Sequence, residues 1–371
     1  MIPQSETAFF PEKVYIEETS LDKPLTRQIL KNLGKICHEV IPQSQLRSLS
    51  EDLRKRRDPI GEGKKYLLLT SQKGRFIKPC PCTPGYIGCN YFIINLNLNC
   101  PLDCSYCILQ HYLSDPWITV HVNLEDLWRE LDIFLKKGKM VMRIGTGELG
   151  DSFALDHLTE NAGDLIGYFR NKKNVLLELK TKTTNISSLF RIKPADNIVI
   201  SWSLNTPRLA REEECGAPPV GERIDAARAV AEKGFPVGFH FDPLIRYHGC
   251  EEDYEKVIRA LLGTVPADRI FWISLGSLRF PSPLKKIIQS RFPRTKIIYD
   301  ELIQGRDGKM RYFRPLRLKL YQGIIQQIRN HGGDNIPLYL CMESADIWKD
   351  ALGWIPKGKR SVEKRLSLRP L

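Results

Sequence analysis

Long hydrophobic runs are missing from these 371 residues: no apolar stretch reaches the ~18–20 residues that span a bilayer. The opening "MIPQSETAFFPEK" lacks the basic-then-apolar order of a secretory leader, and internal repeats are missing too. The expected setting is therefore the cytoplasm, with no membrane. In such a reducing compartment ten cysteines argue for metal binding or redox chemistry where they cluster, rather than for disulfides. Scattered Cys37, Cys215 and Cys250 read as small packing or surface residues.

What is present is ordinary for a globular chain: 42% apolar and 27% charged residues. The length allows two or three domains, or one α/β barrel of more than about 200 residues with additions. The net charge of +13 suits a polyanionic partner, because each phosphate neutralised releases condensed counterions. A solvated basic surface is the plainer alternative.

From residue 90 onward, short apolar β-rich runs alternate with helical patterns. Strands are expected at 91–98, 140–145, 174–180, 197–204, 236–241 and 269–276. The helical stretch "GERIDAARAVAEKG" ends on Gly234, where a C-cap glycine belongs. Six strand–helix units in series predict a parallel sheet with right-handed crossovers. The predicted fold is α/β, a partial (β/α)6 barrel, with a doubly wound sheet as the competing arrangement. Either one puts a ligand at the C-terminal ends of the strands. The predicted organisation is an N-terminal extension without a clear fold of its own (1–89), the barrel (90–291), a C-terminal β-hairpin and helices (292–355) and a mobile basic tail (356–371).

Three cysteines follow directly on the first barrel strand, in "CPLDCSYC": Cys100, Cys104 and Cys107, spaced C-x3-C-x2-C with no fourth. Zinc could take them together with His111 as a Cys3His site, although structural zinc usually draws its ligands from two separated knuckles. Three thiolates suit a four-iron cluster, [4Fe-4S], held at three corners with one iron open. Here the chain resembles the radical S-adenosylmethionine superfamily, whose signature is this spacing in this loop, with an aromatic such as Tyr106 before the last cysteine. The resemblance implies that the open iron binds S-adenosyl-L-methionine, which one electron cleaves to a 5′-deoxyadenosyl radical. It also implies that "IGTGE", ending the second strand, receives the cofactor's amino group through Gly145, Gly147 and Glu148. Glycines there would admit a ligand close to the backbone; a plain glycine-rich turn is the alternative.

The order of segments narrows the resemblance to the spore photoproduct lyase family, which reverses a thymine–thymine lesion in DNA. "PEKVYIEETSLDKPLTRQIL", "CSYCILQHYLSDPWITVHVNLEDL", "DSFALDHLT", "SLNT", "ERIDAARAVAEKGFPVGFHFDPLIRYHGCEEDY" and "FPRTKIIYDE" follow the family in sequence. Carried across, Lys182 and Ser203 hold the cofactor's carboxylate, with Asp151 and Asn205 nearby. Without the resemblance Lys182 would read as a surface lysine. The chain departs from the family at two places. Glu148 stands where the family has its hydrogen-donor cysteine, and Ile108 stands where a tyrosine follows the last cluster cysteine. Candidate catalytic residues are therefore Glu148, Tyr106 and Cys341. Cys80, Cys82 and Cys89 could supply a replacement donor, hold a second metal, or be structural.

The hairpin "GRDGKMRYFRPLRLK" gathers Arg306, Lys309, Arg311, Arg314, Arg317 and Lys319 around Tyr312 and Phe313. Cations flanking aromatics suit phosphate attraction plus base stacking, and an amphipathic hairpin with its aromatics in the core is the alternative. The expectation is a monomeric radical S-adenosylmethionine lyase acting in DNA repair, fed by an electron donor such as flavodoxin or ferredoxin. Two other readings stay open: a radical enzyme with a substrate other than nucleic acid, and a zinc-stabilised nucleic-acid-binding protein without catalysis.

Overall fold

The computed structural model describes residues 8–83, 85–136, 141–356, 362 and 366. Six strands follow one another in a sheet in chain order: β1 (Phe92–Ile94), β2 (Met142–Thr146), β3 (Val175–Thr181), β4 (Ile198–Ser203), β5 (Val237–Leu244) and β6 (Ile270–Ser277). All neighbours among them pair in parallel. Their sequences, such as "VLLELKT" and "IVISWS", are buried almost throughout, as strands covered on both faces must be. Between them lie helices including Leu124–Lys136, Asn161–Phe169, Val220–Lys233 and Cys250–Thr264. Gly234 caps the third of these at φ 111°, as its position predicts. The expected partial barrel is the observed one.

Two elements extend the barrel sheet. Ile77–Pro79 pairs antiparallel with β1, and β7 (Leu338–Leu340) pairs parallel with β6. The segment 292–355 thus contributes a barrel strand as well as a cap. Its hairpin, Leu302–Gln304 with Lys309–Tyr312, gains a third strand from Arg279–Pro281. The long helix Arg314–Asn330 and the final Ala345–Leu352 follow as expected.

The N-terminal expectation needs correction. Lys13–Glu17, His38–Ile41 and Tyr66–Thr70 form a parallel sheet, extended by Ile118–His121 and then by Asn97–Leu98. Val14, Ile16, Leu67, Leu69, Ile118 and Val120 give this sheet its own apolar core. The expected strand 91–98 accordingly breaks. Its first half enters the barrel and its second half turns to pair with Ile118–His121. Of the predicted basic tail, Pro356, Val362 and Leu366 are described, and the latter two are buried against the barrel core. The tail's other residues lie outside the described residues.

Candidate active site

The cysteine loop sits at the C-terminal edge of the sheet, braced from several sides. Asn99 and Asp103 take left-handed φ values of 70° and 45°, which short polar side chains tolerate best. Asn99 donates from Nδ2 to the Pro116 carbonyl (2.8 Å), accepts the Cys100 N–H (2.9 Å) and donates its own N–H to Leu149 O (2.8 Å), beyond the end of β2. The segment 213–216 closes the other side. Ser105 N–H donates to Glu213 O (2.8 Å), and Gly216 N–H to Leu102 O (2.9 Å). A Cβ on Gly216 would sit 2.9 Å from Leu102 Cα, so only glycine fits this approach. Asp103 is anchored by Lys64 (2.8 Å) and Arg291 (2.9 Å).

The donor set fits a cluster better than a single zinc ion. His111 is exposed, and no three His, Cys, Asp or Glu side chains among the described residues converge to hold one ion. Tetrahedral zinc with bonds of about 2.3 Å would need its sulfurs within roughly 4 Å of each other. Cations flank the loop: Lys64 acts electrostatically on Cys100 and Cys107, and Lys182 on Cys104. Burial pushes the Cys100 thiol up to about 12 and Cys104 well above its ordinary value. Three thiolates there would need a bound cation as well as these lysines to neutralise them.

At the ends of β2 and β3 the expected residues come together. A Cβ on Gly145 would collide with Glu178 O and the Tyr91 hydroxyl. Gly147 has φ 98°, and a Cβ there would meet Lys180 O at 2.7 Å. Glu148 is ion-paired with Lys180, whose ammonium is held well above its ordinary value. Burial would lower that value, but Glu148 and then Glu178 outweigh it. Asp151 is fully engaged as a loop organiser. It accepts from the N–H groups of Phe153 and Ala154 (both 2.9 Å), from Thr181 Oγ1 (2.7 Å) and from Lys182 N–H (2.8 Å). It thereby fixes the backbone that carries Lys182.

Lys182 points into a buried charge cluster that the sequence did not announce. Its Nζ lies 3.8 Å from Glu214 Oε1 and 5.9 Å from the Tyr106 ring centroid. Tyr106 donates its hydroxyl to Glu214, and Arg223 pairs with Glu214 Oε2 at 2.6 Å. Arg223 also donates to Ser203 O (3.2 Å), which brings Ser203 into the same group. Burial pushes the Glu214 carboxyl up, but Lys182, Arg223 and the Tyr106 hydrogen bond together hold it below its usual range. Glu214 also forms a backbone bridge with Cys104. Asn205 takes a structural role: Oδ1 accepts from Tyr254 (2.8 Å) and Nδ2 donates to Pro243 O (3.2 Å).

The barrel interior holds a second polar group, also missed. Glu178 receives Arg143 (3.2 Å), Ser201 (2.7 Å) and Trp272 (3.2 Å), with His240 Nε2 at 2.7 Å. Arg143 lies over the Trp272 ring at 4.3 Å, and its Nε and Nη1, like the Tyr91 hydroxyl, have no hydrogen-bond partner among the described residues. An alternating "LLELK" strand with one glutamate was the only available signal. Cys89 is close enough to feel Arg143, Glu178 and Glu148; Cys80 feels Glu148, and Cys341 feels Cys89 and Cys80. Arg279 donates to Cys341 Sγ at 3.3 Å. Packing therefore brings Cys80 and Cys89 within electrostatic reach of Glu148, and Cys341 within reach of both.

The expected nucleic-acid residues divide. Arg311 is buried on Asp307 (2.6 Å) under the Tyr86 ring, and Arg317 is buried on Glu343 (3.0 Å). Tyr312 is fully buried, its hydroxyl accepting the Arg246 N–H at 3.0 Å. These three cannot face a phosphate because they are buried: Arg311 closes the hairpin turn on Asp307, Arg317 ties the following helix to Glu343, and Tyr312 fastens the hairpin to the segment after β5. Arg314 is exposed but paired with both Asp346 and Asp350. Arg306 and Phe313 are exposed, and Lys309 is partly so.

Comparison with known proteins agrees with this geometry. The sequence profile of the family described as "Spore photoproduct lyase" matches residues 9–322. The spore photoproduct lyase of Bacillus subtilis is 27% identical over 309 residues, covering 80% of this chain and 86% of that one. That of Clostridium acetobutylicum is 23% identical over 329 residues, covering 88% and 95%. A solved spore photoproduct lyase complexed with dinucleoside spore photoproduct superposes with a TM-score of 0.79 at 23% identity, over 90% of this chain and 99% of that one. A variant with bound AdoMet and dinucleoside spore photoproduct gives 0.75 at 23%, over 91% and 100%. With a profile match running from the N-terminal sheet through the barrel and hairpin, the chain belongs to the spore photoproduct lyase family.

Proposed function

We propose that this protein is a radical S-adenosylmethionine lyase that repairs a photolesion in DNA. The observation that carries the proposal is the meeting, at one sheet edge, of a three-thiol loop with Gly147, Glu148 and Lys182. Cys100, Cys104 and Cys107 would hold the [4Fe-4S] cluster, which when bound supplies the electron that cleaves S-adenosylmethionine to a 5′-deoxyadenosyl radical. Lys182 offers an ammonium to the cofactor's carboxylate, since its own contact with Glu214 is long at 3.8 Å and Glu214 is already neutralised by Arg223. Gly145 and Gly147 leave the backbone open, and Glu148 faces the amino group, with Lys180 as its resident partner. Ser203 lies with this group through Arg223. Tyr106 and Asp151 position their neighbours.

Hydrogen return falls to a thiol other than the one replaced by Glu148. Cys341 is the candidate, because burial pushes its pKa well up and keeps the S–H bond that a hydrogen-atom donor needs. Cys89 and Cys80 stand close enough to act on it. An acidic one-electron donor such as flavodoxin or ferredoxin supplies the reducing equivalent. The test is anaerobic incubation of the reduced, iron-loaded protein with S-adenosylmethionine and irradiated DNA, the products being identified by mass spectrometry. Repaired thymines that disappear in Cys341→Ala support the reading; cofactor cleavage with unaltered lesions refutes the DNA assignment.

A further inference from the structure

We propose that a groove beside the cysteine loop seats the phosphodiester backbone flanking the lesion; this rests on DNA being the substrate. Its walls are the segments 208–213 and 245–251, which follow β4 and β5, and the strap 291–300. The volume, about 1230 Å³, exceeds the usual small-molecule pocket and suits an extended chain. Six arginines and lysines face four carboxylates along it.

The distribution of partners says more than the total. Of the hairpin arginines first expected to meet DNA, Arg311, Arg314 and Arg317 are consumed by internal ion pairs, and Arg306 stays exposed. In the groove, Arg294 and Lys296 are exposed, and among the described residues their side chains form no ion pair or hydrogen bond. Between them Thr295 is buried, its hydroxyl donating to Glu213 at 2.7 Å. The alternation points two free cations outward from a fixed strap. Tyr299 leaves 61% of its surface exposed on the same strap, with Lys285 5.5 Å from its ring centroid. Free cations beside an exposed ring match phosphate attraction and a sugar or base contact.

The groove is also fastened to the chemistry. Glu213 accepts from Ser105 in the cysteine loop, and Arg291 binds Asp103 there at 2.9 Å. A strand lying in the groove therefore runs past the barrel mouth, where a lesion extruded from the duplex would enter.

The experiment measures binding of irradiated duplex oligonucleotide to the iron-loaded protein across a salt series. Each phosphate contact contributes about 0.9 to the log–log slope, so Arg294→Ala/Lys296→Ala should reduce its magnitude by about two. Tyr299→Ala should weaken binding without changing the slope. The charge-matched pair Arg129→Ala/Arg228→Ala, on outer helices, should leave the slope as it was. An unchanged slope in the groove variant, with normal binding by the unaltered protein, overturns the groove and spares the DNA reading. If that variant instead loses only reduction by an acidic redox protein, the groove belongs to the electron donor and the proposal is overturned. No binding of duplex by the unaltered protein overturns both.

Discussion

Replacing Glu214 by glutamine tests whether the charge cluster under the cysteine loop is held as described. Glutamine keeps the shape and can still accept from Tyr106, but it cannot neutralise Arg223, which is 0% exposed and paired at 2.6 Å. An uncompensated buried cation costs about 3–5 kcal/mol, a large share of the roughly 5–15 kcal/mol that keeps a protein folded. The urea midpoint should fall accordingly at neutral pH. Lys182→Ala makes the contrast. Its contact with Glu214 is long at 3.8 Å and Arg223 remains to neutralise the carboxylate, so folding should lose less than in Glu214→Gln. Cofactor affinity, by contrast, should drop by at least tenfold, the loss of a charge-assisted bond worth ~1.5–3 kcal/mol. The pH dependence has a definite sign. Glu214 is held below its usual range, so its contribution is complete above the unfolded value of about 4.3 and fades as pH falls through the depressed value. The gap between the unaltered protein and Glu214→Gln should narrow on acidification. If Glu214→Gln unfolds within 1 kcal/mol of the unaltered protein, or if the gap widens in acid, the reasoning about Arg223 is wrong.

Purified without air and loaded with iron and sulfide, the protein should be brown and hold about four irons, and should lose both properties with Cys100, Cys104 and Cys107 changed to alanine. A colourless protein carrying one tight zinc would contradict this. Glu148→Gln keeps an acceptor but removes the negative charge from the Lys180 pair and from the group proposed to receive the cofactor's ammonium, so cofactor affinity should fall by ~1.5–3 kcal/mol; isothermal titration showing unchanged affinity removes Glu148 from the cofactor site. Arg317→Ala strips the buried Glu343 of its cation, leaving the Tyr321 hydroxyl, and should cost about 3–5 kcal/mol in unfolding experiments while leaving the salt slope for DNA intact. A flatter slope would return Arg317 to the nucleic-acid surface.

Local pattern was enough to read the parallel strand order and the cysteine loop. Six apolar runs separated by helical periodicity predict a parallel sheet but leave a doubly wound arrangement beside the partial barrel, and C-x3-C-x2-C after the first run places three thiols within eight residues. Gly234 was legible for the same reason, since a left-handed backbone at a helix end asks for glycine locally, whereas Gly147 was read through the family resemblance. The N-terminal sheet was not, because its strands are only four or five residues long and a neighbour comes from Ile118–His121, far along the chain.

Partnership among charges was decided by tertiary structure alone. In "REEECG" nothing distinguishes Glu214 from its exposed neighbour Glu212, yet Glu214 is buried on Arg223, Tyr106 and Lys182. In "KMRYFRPLR" the cations look alike, yet Arg311 and Arg317 are sealed by Asp307 and Glu343 while Arg294 and Lys296, outside that motif, stay free. The sequence determines where charges and thiols lie along the chain; whether a cation meets a carboxylate or solvent depends on which distant segment packs over it. Burial then multiplies the consequence, because a pair in water is worth little and the same pair out of water is costly to break.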